Sequence, residues 1–268
     1  MKKAITTYIR LSVLVLAAGS MAVPFCWMVL TSFKPMGELD QGHFLPRQWD
    51  TGSYPALWSL SFGRWYFNSL LVAGWVTFLQ LVTSAMSAFA FSRLRWPGRD
   101  KVFFLYLGTL MVPGLILIIP NFYVMVKLHL VNTYLGLVLP ASFTAFGTFL
   151  LRQFMLTVPM NLDEAAEIDG AGKFRVFTDI VLPLIKPGLV TLAVFAFIGN
   201  FGSFFWPLIM IKDEALHTLP IGMLYFSSNF SQQTNLLMAA AVLNLLPPII
   251  VFILLQRFLV RGIQISGG

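Results

Sequence analysis

The chain has 268 residues, 57% of them hydrophobic and only 11% charged, and its mean hydropathy is +0.79. A typical soluble domain carries about 25% charged residues, so this composition excludes an ordinary soluble protein and favours a chain with most of its surface in lipid. The formal net charge of +7 does not indicate nucleic-acid binding, because the basic residues lie between long apolar segments.

Six long apolar segments are predicted to cross a membrane. A spanning helix needs about 20 apolar residues, and helices satisfy the backbone hydrogen bonds that lipid cannot. We therefore expect an all-α, polytopic membrane protein with a single transmembrane domain over residues 1–268. The predicted spans cover residues 11–33, 67–91, 102–126, 133–151, 188–211 and 236–255. The fourth span is interrupted by two glycines and a proline.

The first apolar segment follows Met1-Lys2-Lys3 and has the charge pattern of a signal peptide. Its apolar stretch is longer than the roughly 7–15 residues of a signal core, and no small-residue cleavage site precedes a polar stretch. We predict an uncleaved membrane anchor. The single cysteine, Cys26, lies in this segment and cannot form a disulfide within the chain.

Two polar segments are predicted to face the outside. Residues 34–66 carry Trp49, Trp58 and Trp65, and tryptophans are typical anchors at membrane interfaces. Residues 212–235 include the run "SSNFSQQTN", which is expected to be an exposed loop that an external partner can contact.

The basic residues predict the orientation of the chain. With six spans both termini lie on one side, and basic residues in short loops mark the cytoplasmic side. That side carries 13 of the 18 Lys and Arg residues, namely Lys2, Lys3, Arg10, Arg93, Arg95, Arg99, Lys101, Arg152, Lys173, Arg175, Lys186, Arg257 and Arg261. We therefore expect both termini and the loop after the fourth span to be cytoplasmic.

Polar side chains within the predicted spans are candidates for a solute path. Such groups are costly in lipid and therefore face protein or a cavity. The candidates are Gln80, Asn121, Asn200, Ser203 and Asn244. Small polar residues also pack helices together, so a structural role remains open for each of them. Since no span carries a buried carboxylate or lysine, the pattern disfavours an ion-coupled carrier.

The cytoplasmic segment 152–187 contains the polar run "EAAEIDGAG" at 164–172. Asn161 is predicted to cap a short helix, with Glu164 completing a capping box. Gly170 and Gly172 are expected to end that helix.

A second helical segment is predicted after Gly172. Phe174, Phe177, Ile180 and Val181 recur at helical spacing, and prolines then interrupt the pattern before the fifth span. Composition alone leaves two interpretations of this helical pair open, an ordinary surface hairpin or a rigid element that enters a groove on another protein.

The run "EAAEIDGAGKFRVFTDIVLPLIKP" over 164–187 resembles the EAA loop of ABC importer permeases. The family pattern is EAA, three residues, GA, a later Phe, then LP and P. The matching positions are Glu164, Ala165, Ala166, Gly170, Ala171, Phe177, Leu182, Pro183 and Pro187.

The resemblance extends over most of the chain. Residues 68–100, 110–125, 132–140 and 149–155 are similar to permeases of carbohydrate importers of the maltose-transporter type. Residues 246–268 resemble the shorter, six-span permease partner of that family. Residues 35–64 match least. The last three residues are Ser266-Gly267-Gly268 and depart from the family's usual lysine-containing tail. The resemblance therefore does not imply that the tail of this chain contacts the ATPase subunit of an importer.

The resemblance implies a type I ABC importer permease fold with a cytoplasmic coupling helix. Glu164, Ala165, Ala166, Asp169, Gly170 and Ala171 would then contact the ATPase. The implied partners are an ABC ATPase dimer, a second and different permease subunit, and an extracytoplasmic solute-binding protein. The implied location is the cytoplasmic membrane of a bacterium or archaeon, and the implied solute is a carbohydrate or a similar compound.

The sequence has no catalytic or metal-binding signature. A phosphate-binding loop needs the pattern GxxxxGK[ST], whereas Gly172-Lys173 is followed by Phe174. The three histidines are isolated. We therefore expect no cofactor on this chain and assign ATP and magnesium to the partner ATPase. The alternatives are a stand-alone ion-coupled carrier or channel and, less favoured, an integral membrane enzyme.

Overall fold

The computed structural model describes residues 2–229 and 233–264, and most of them are helical with no strand among them. The α-helices are α1 (Lys2–Ser32), α2 (Ser53–Trp58), α3 (Phe62–Ser92), α4 (Arg99–Gly108), α5 (Ile118–Lys127), α6 (Tyr134–Val138), α7 (Ala145–Thr157), α8 (Met160–Ile168), α9 (Lys173–Arg175), α10 (Leu182–Leu184), α11 (Lys186–Phe201), α12 (Phe205–Met210), α13 (Leu219–Asn229) and α14 (Thr234–Gln264). Short 3₁₀ turns and one π-helical turn, Val176–Val181, connect some of them. Part of the predicted outer loop "SSNFSQQTN" and the C-terminal tail lie outside the described residues.

The chain divides into two compact units. The first consists of Met1–Arg64 and Gly222–Pro247, and the second of Trp65–Ile221 and Pro248–Gly268. The single transmembrane domain over the whole chain stays a prediction.

Three of the described helices are long and apolar enough to cross a membrane. They cover Ile9–Ser32, Phe62–Ser92 and Thr234–Phe258 and contain most of the first, second and sixth predicted spans. Two bent helix pairs also qualify when each is taken as one span. The pair Tyr134–Ser142 and Ala145–Thr157 bends by 44°, and the pair Lys173–Leu184 and Lys186–Phe201 bends by 77°.

The third predicted span, residues 102–126, is two helices in the structure. Helix α4 ends at Gly108 and α5 begins at Ile118. Pro113 has no N–H to donate and disfavours helical backbone in the residue before it, and Gly114 follows directly. The intervening turns are closed by hydrogen bonds from Ile116 N to Pro113 O (3.0 Å) and from Leu117 N to Gly114 O (3.1 Å).

In the first unit, buried polar groups order the predicted outer loop. The Lys34 side chain is buried and donates to the His43 carbonyl. The buried Glu38 carboxylate accepts a hydrogen bond from Arg47 N (2.6 Å), and Asn235 Nδ2 donates to Lys34 O (3.2 Å). These hydrogen bonds hold the loop against the rest of the first unit. The loop is therefore more ordered than its polar composition predicts.

The second unit contains two clusters of buried apolar side chains. One is formed by Val72, Val76, Met125, Leu137, Val138, Met210 and Ile211. The other is formed by Ala85, Ala88, Phe89, Leu151, Met155, Val158, Val176, Val181, Ile185 and Leu192. Trp65 is also buried, with 2% of its surface exposed, and its Nε1 donates to Glu214 O at 3.1 Å. The prediction that Trp65 is an interface anchor is therefore wrong.

Candidate functional site

Helix α8 forms where the EAA motif predicts a short helix. It begins at Met160 after Pro159, whose backbone is extended, and no side chain caps its N-terminus. The prediction that Asn161 caps this helix is wrong, because Asn161 lies inside the first turn and is exposed. Proline is compatible with this position, because the N–H that it lacks would have no partner within the helix.

The C-terminus of α8 is closed by Gly170 in the left-handed conformation, with φ of 85°. Gly170 N donates to Glu167 O (3.0 Å) and Ala171 N donates to Ala166 O (2.9 Å). This is the Schellman arrangement, which usually requires glycine at the left-handed position. The predicted stop at Gly170 is confirmed, and it gives the helix a sharp, hydrogen-bonded end.

The residues of the EAA motif divide between two faces of this segment. Glu164, Ala165, Asp169 and Gly170 are exposed. Ala166 and Ala171 are half-buried and pack against the apolar cluster that contains Phe89 and Val176. Because these two alanines point toward the core, their small size lets α8 lie close to the rest of the second unit.

Apolar side chains share the exposed face with the acids. Ile168 is 87% exposed and Phe174 is 76% exposed, and Leu162 is also exposed. Leu162 and Ile168 lie on α8, outside the predicted spans and the bent pairs that qualify as spans, so lipid does not account for their exposure. Phe174 lies in α9, which belongs to one of those bent pairs. Sequence reasoning missed this feature, although three large apolar residues in a polar loop are its visible signal. An exposed face of acids and large apolar groups is typical of a protein contact surface.

Helix α8 is held to the unit by a buried ion pair between Arg93 and Asp163. Arg93 Nε lies 3.4 Å from Asp163 Oδ2, and the residues are 6% and 4% exposed. Arg93 Nη2 also donates to the carbonyls of Met155 (2.8 Å) and Val158 (2.9 Å). Burial raises the pKa of the Asp163 carboxyl, and the Arg93 guanidinium opposes that rise. The basic pattern marked Arg93 only as a topology signal, and its partner 70 positions away was not foreseen.

Arg152, also predicted only as a topology signal, forms a second cross-link. Its Nε donates to Phe91 O at 3.1 Å, and its guanidinium lies 4.2 Å from the centre of the Phe103 ring. Its Nη2 is 3.4 Å from Asp100 Oδ1. Arg152 therefore joins α7 to the end of α3 and the start of α4.

Replacing Gly170 with alanine is expected to destabilise the end of α8, since a left-handed L-residue costs about 1–2 kcal/mol. We expect hydrogen exchange at the α8 amides to accelerate by about tenfold. The matched control is Gly172→Ala, where φ is −73° and an added Cβ meets nothing within 4 Å. Equal exchange in the two variants would contradict the assignment of Gly170 as the helix stop.

A second feature of this unit is a cavity of about 360 Å³. Its polar lining consists of Ser69, Asn121, Asn200, Ser203 and Thr218, and Trp206 adds an aromatic wall. None of the described residues that line it is charged. The structure thus brings Asn121, Asn200 and Ser203 together as predicted path residues, whereas Ser69 and Thr218 were not predicted.

Two hydroxyl groups in the cavity lining differ in whether they have a hydrogen-bond partner. Ser69 Oγ accepts from Leu219 N at 2.7 Å. The buried Thr218 hydroxyl has no hydrogen-bond partner among the described residues. A group of this kind is available to a solute or a water molecule.

The remaining predicted path residues lie elsewhere. Gln80 Nε2 donates to Ala141 O at 2.6 Å, and Gln80 Oε1 accepts from Asn200 Nδ2 at 3.5 Å. Gln80 therefore supports the cavity wall by joining helices. Asn244 belongs to the first unit and is half-buried.

Comparison with known proteins identifies relatives over most of the chain. Residues 80–265 match the family described as binding-protein-dependent transport system inner membrane component. The sn-glycerol-3-phosphate transport system permease protein UgpE of Yersinia enterocolitica is 41% identical over 207 residues, covering 76% of this chain and 74% of the relative. The arabinooligosaccharides transport system permease protein AraQ of Halalkalibacterium halodurans is 32% identical over 250 residues, covering 91% and 90%.

Solved structures share the fold. A chain in the crystal structure of a bacterial ABC transporter involved in the import of the acidic polysaccharide alginate has a TM-score of 0.86 at 22% identity, covering 97% of this chain and 98% of that one. The predicted all-α importer-permease fold is confirmed by this match. The resemblance to ABC importer permeases is confirmed as well: the chain belongs to the family of inner membrane components of binding-protein-dependent transport systems.

Proposed function

We propose that the exposed face of α8 docks into an ATPase subunit encoded on another chain. The observation that carries this proposal is the combination of Glu164, Ile168 and Asp169 on an exposed, sharply terminated helix outside the predicted spans. Acidic groups favour a basic groove, and Ile168 gains from burial in it. Glu164, Ala165, Asp169 and Gly170 form the contact face, whereas Ala166 and Ala171 contribute by seating the helix.

The solute path runs through the cavity of the second unit. Its hydroxyl and amide groups together with Trp206 suit a hydroxylated solute, because pockets commonly combine apolar walls with a few polar groups. Asn121, Asn200 and Ser203 are the residues assigned to the path, with Gln80 in support and Asn244 as a candidate on the first unit. The names of the relatives refer to a polyol phosphate and to arabinooligosaccharides, which supports a carbohydrate or carbohydrate-like solute.

The working complex contains further chains. We assign ATP and magnesium to an ABC ATPase dimer, and we expect a second, different permease subunit beside this one. A solute-binding protein on the outside is supported by a structural relative, a bacterial alginate ABC transporter in complex with an alginate pentasaccharide-bound periplasmic protein. This chain is then the non-enzymatic permease component. Its family membership disfavours the alternative of a stand-alone ion-coupled carrier.

The chain is oriented with both termini and α8 in the cytoplasm, as the basic residues indicate. A cysteine at exposed Phe174, in a Cys26→Ser background, is expected to react with a membrane-impermeant thiol reagent only after the cells are opened. A cysteine at exposed His43 is expected to react in intact cells or spheroplasts. The opposite pattern would reverse the orientation.

The direct test of the docking proposal is purification of the tagged wild-type chain in detergent from its native host. An ATP-hydrolysing subunit is expected to accompany it in stoichiometric amount, and the assembled complex is expected to hydrolyse ATP. Isolation of the chain alone, with uptake activity retained after reconstitution, would contradict the proposal and favour a stand-alone carrier.

A further inference from the structure

The buried Arg93–Asp163 pair lies at the junction of three helices in the second unit. Arg93 follows directly on α3, and its backbone N–H donates to Phe89 O at 2.8 Å, which extends the last turn of that helix. Asp163 lies in the first turn of α8. The carbonyls of Met155 and Val158, at the C-terminal end of α7, accept hydrogen bonds from Arg93 Nη2, and Nη1 donates to the Met160 sulfur at the start of α8.

This arrangement differs from the other ion pairs of the same region. Lys173 pairs with Glu167, and Arg175 Nε lies 3.5 Å from Asp179 Oδ2, but the side chains of both pairs are well exposed. Exposed pairs contribute little. Removing one member of a buried pair is far more disruptive, because the other charge is left without compensation away from water.

The apolar contacts of α8 alone are small. On the inward side of the helix, Ala166 and the following Ala171 contribute only methyl groups to the core cluster. Two methyl groups hold a helix weakly against sliding or tilting. The Arg93 guanidinium donates directional hydrogen bonds to two carbonyls at the end of α7 and lies in ion-pair contact with the Asp163 carboxylate of α8, without a hydrogen bond between Nε and that carboxylate. The Arg93–Asp163 pair is therefore the electrostatic link between α8 and α3.

We infer that Arg93 and Asp163 are positioning residues that make α8, the end of α7 and α3 move as one body, so that displacement of the docked helix is passed to the cavity. Helix α3 carries Ser69, Val72 and Val76 into the wall of that cavity. The link thus runs from the docking face through Asp163, Arg93 and α3 to the solute path. This inference rests on the proposed docking of α8 to an ATPase, and it adds the residues that transmit the motion.

The test uses the complete complex with a single reporter cysteine on this chain. Gly114 lines the cavity, and a Cβ added there meets nothing within 4 Å, so Gly114→Cys with Cys26→Ser places a thiol in the path. The measured quantity is the change in its rate of modification by a membrane-impermeant methanethiosulfonate when ATP and vanadate are added. No knowledge of the natural solute is needed.

In the reporter complex Asp163→Asn is expected to reduce the ATP-dependent change about tenfold, a size typical of coupling between two sites. ATPase association and ATP hydrolysis are expected to persist, since the exposed face of α8 is untouched. Asp179→Asn is the matched control, because it removes the carboxylate of an exposed pair in the same loop, and it is expected to keep the full response.

Arg93→Lys is the second variant. It retains the buried charge opposite Asp163 but loses the planar guanidinium that donates to the carbonyls of Met155 and Val158, so an intermediate response is expected.

A full response in an assembled Asp163→Asn or Arg93→Lys complex would overturn the inference. Failure of both variants to assemble would also overturn it, because the pair would then serve folding alone. A reporter complex that lacks the ATPase, or shows no ATP-dependent change, would instead refute the docking proposal on which the inference rests.

Discussion

Reversing the charge of Glu164 is expected to separate the chain from its ATPase subunit. Glu164 is exposed just after the first turn of α8, beside Ala165 and one turn from Ile168. If the groove that receives the helix is basic, Glu164→Lys replaces an attraction by a repulsion, and like charges placed together at an interface cost several kcal/mol. Each 1.4 kcal/mol is a tenfold change in affinity, so co-purification should fall at least about tenfold.

The control for Glu164→Lys is Asp179→Lys, the same charge reversal at an exposed position of the same loop but outside α8. It is expected to leave the co-purified amount of ATPase unchanged. Ile168→Ser is an independent variant that keeps every charge and removes the most exposed apolar side chain of the helix. Undiminished association in both Glu164→Lys and Ile168→Ser would refute α8 as the docking element.

Replacing Gly136 with alanine is expected to destabilise the second unit strongly. A Cβ at this position would lie 2.2 Å from Leu130 O and 2.5 Å from Met210 Cε. The methionine end can rotate, but the carbonyl is held, because Leu130 N donates to Met125 O (2.9 Å) and Leu130 O accepts from Thr133 Oγ1 (2.7 Å).

The backbone of Gly136 is held in place by hydrogen bonds as well. Its N–H donates to Thr133 Oγ1 at 3.1 Å, and its carbonyl accepts from Trp206 Nε1 at 3.1 Å. With both sides of the clash held, overpacking of this kind costs about 1–3 kcal/mol or more. We expect the apparent Tm of the purified protein to fall by roughly 2–12 °C.

The matched control is Gly74→Ala on α3, where an added Cβ meets nothing within 4 Å. Alanine is the better helix former by about 1 kcal/mol, so this variant should be as stable as the parent or slightly more stable. Fluorescence-monitored thermal denaturation in detergent measures both variants. Identical apparent Tm values for Gly136→Ala and the parent would show that the close approach at Leu130 is not rigid.

The third predicted span shows where hydropathy alone misleads. Residues 102–126 have the length and composition of a spanning helix, yet α4 and α5 are separated at Pro113-Gly114. The signal was present in the sequence, because proline disfavours a helical residue before it and lacks the N–H that the helix needs. Hydropathy averaged over a window gives these two residues little weight, whereas their backbone properties end the helix.

At the N-terminus of α8, by contrast, a clear sequence signal is overridden by tertiary contacts. Asn161 and Glu164 have the spacing of a capping box, but the N-cap of α8 is Pro159, two residues before the position that the pattern predicts. Local capping preferences are worth about 1 kcal/mol. The buried Asp163 and the seated Ala166 fix the start of the helix through contacts with the rest of the unit, which outweighs a surface cap.

Composition, hydropathy and short motifs are enough to predict the membrane character, the all-helical class, most of the spans, the EAA motif and the family. These predictions succeed because hydropathy and turn residues act within short windows of the chain. Helix packing was needed to show which residues of α8 face outward, that Arg93 pairs with Asp163, and that Asn121, Asn200 and Ser203 share one cavity. Such contacts join residues up to about 80 positions apart, and they arise from helix packing, which no local pattern specifies.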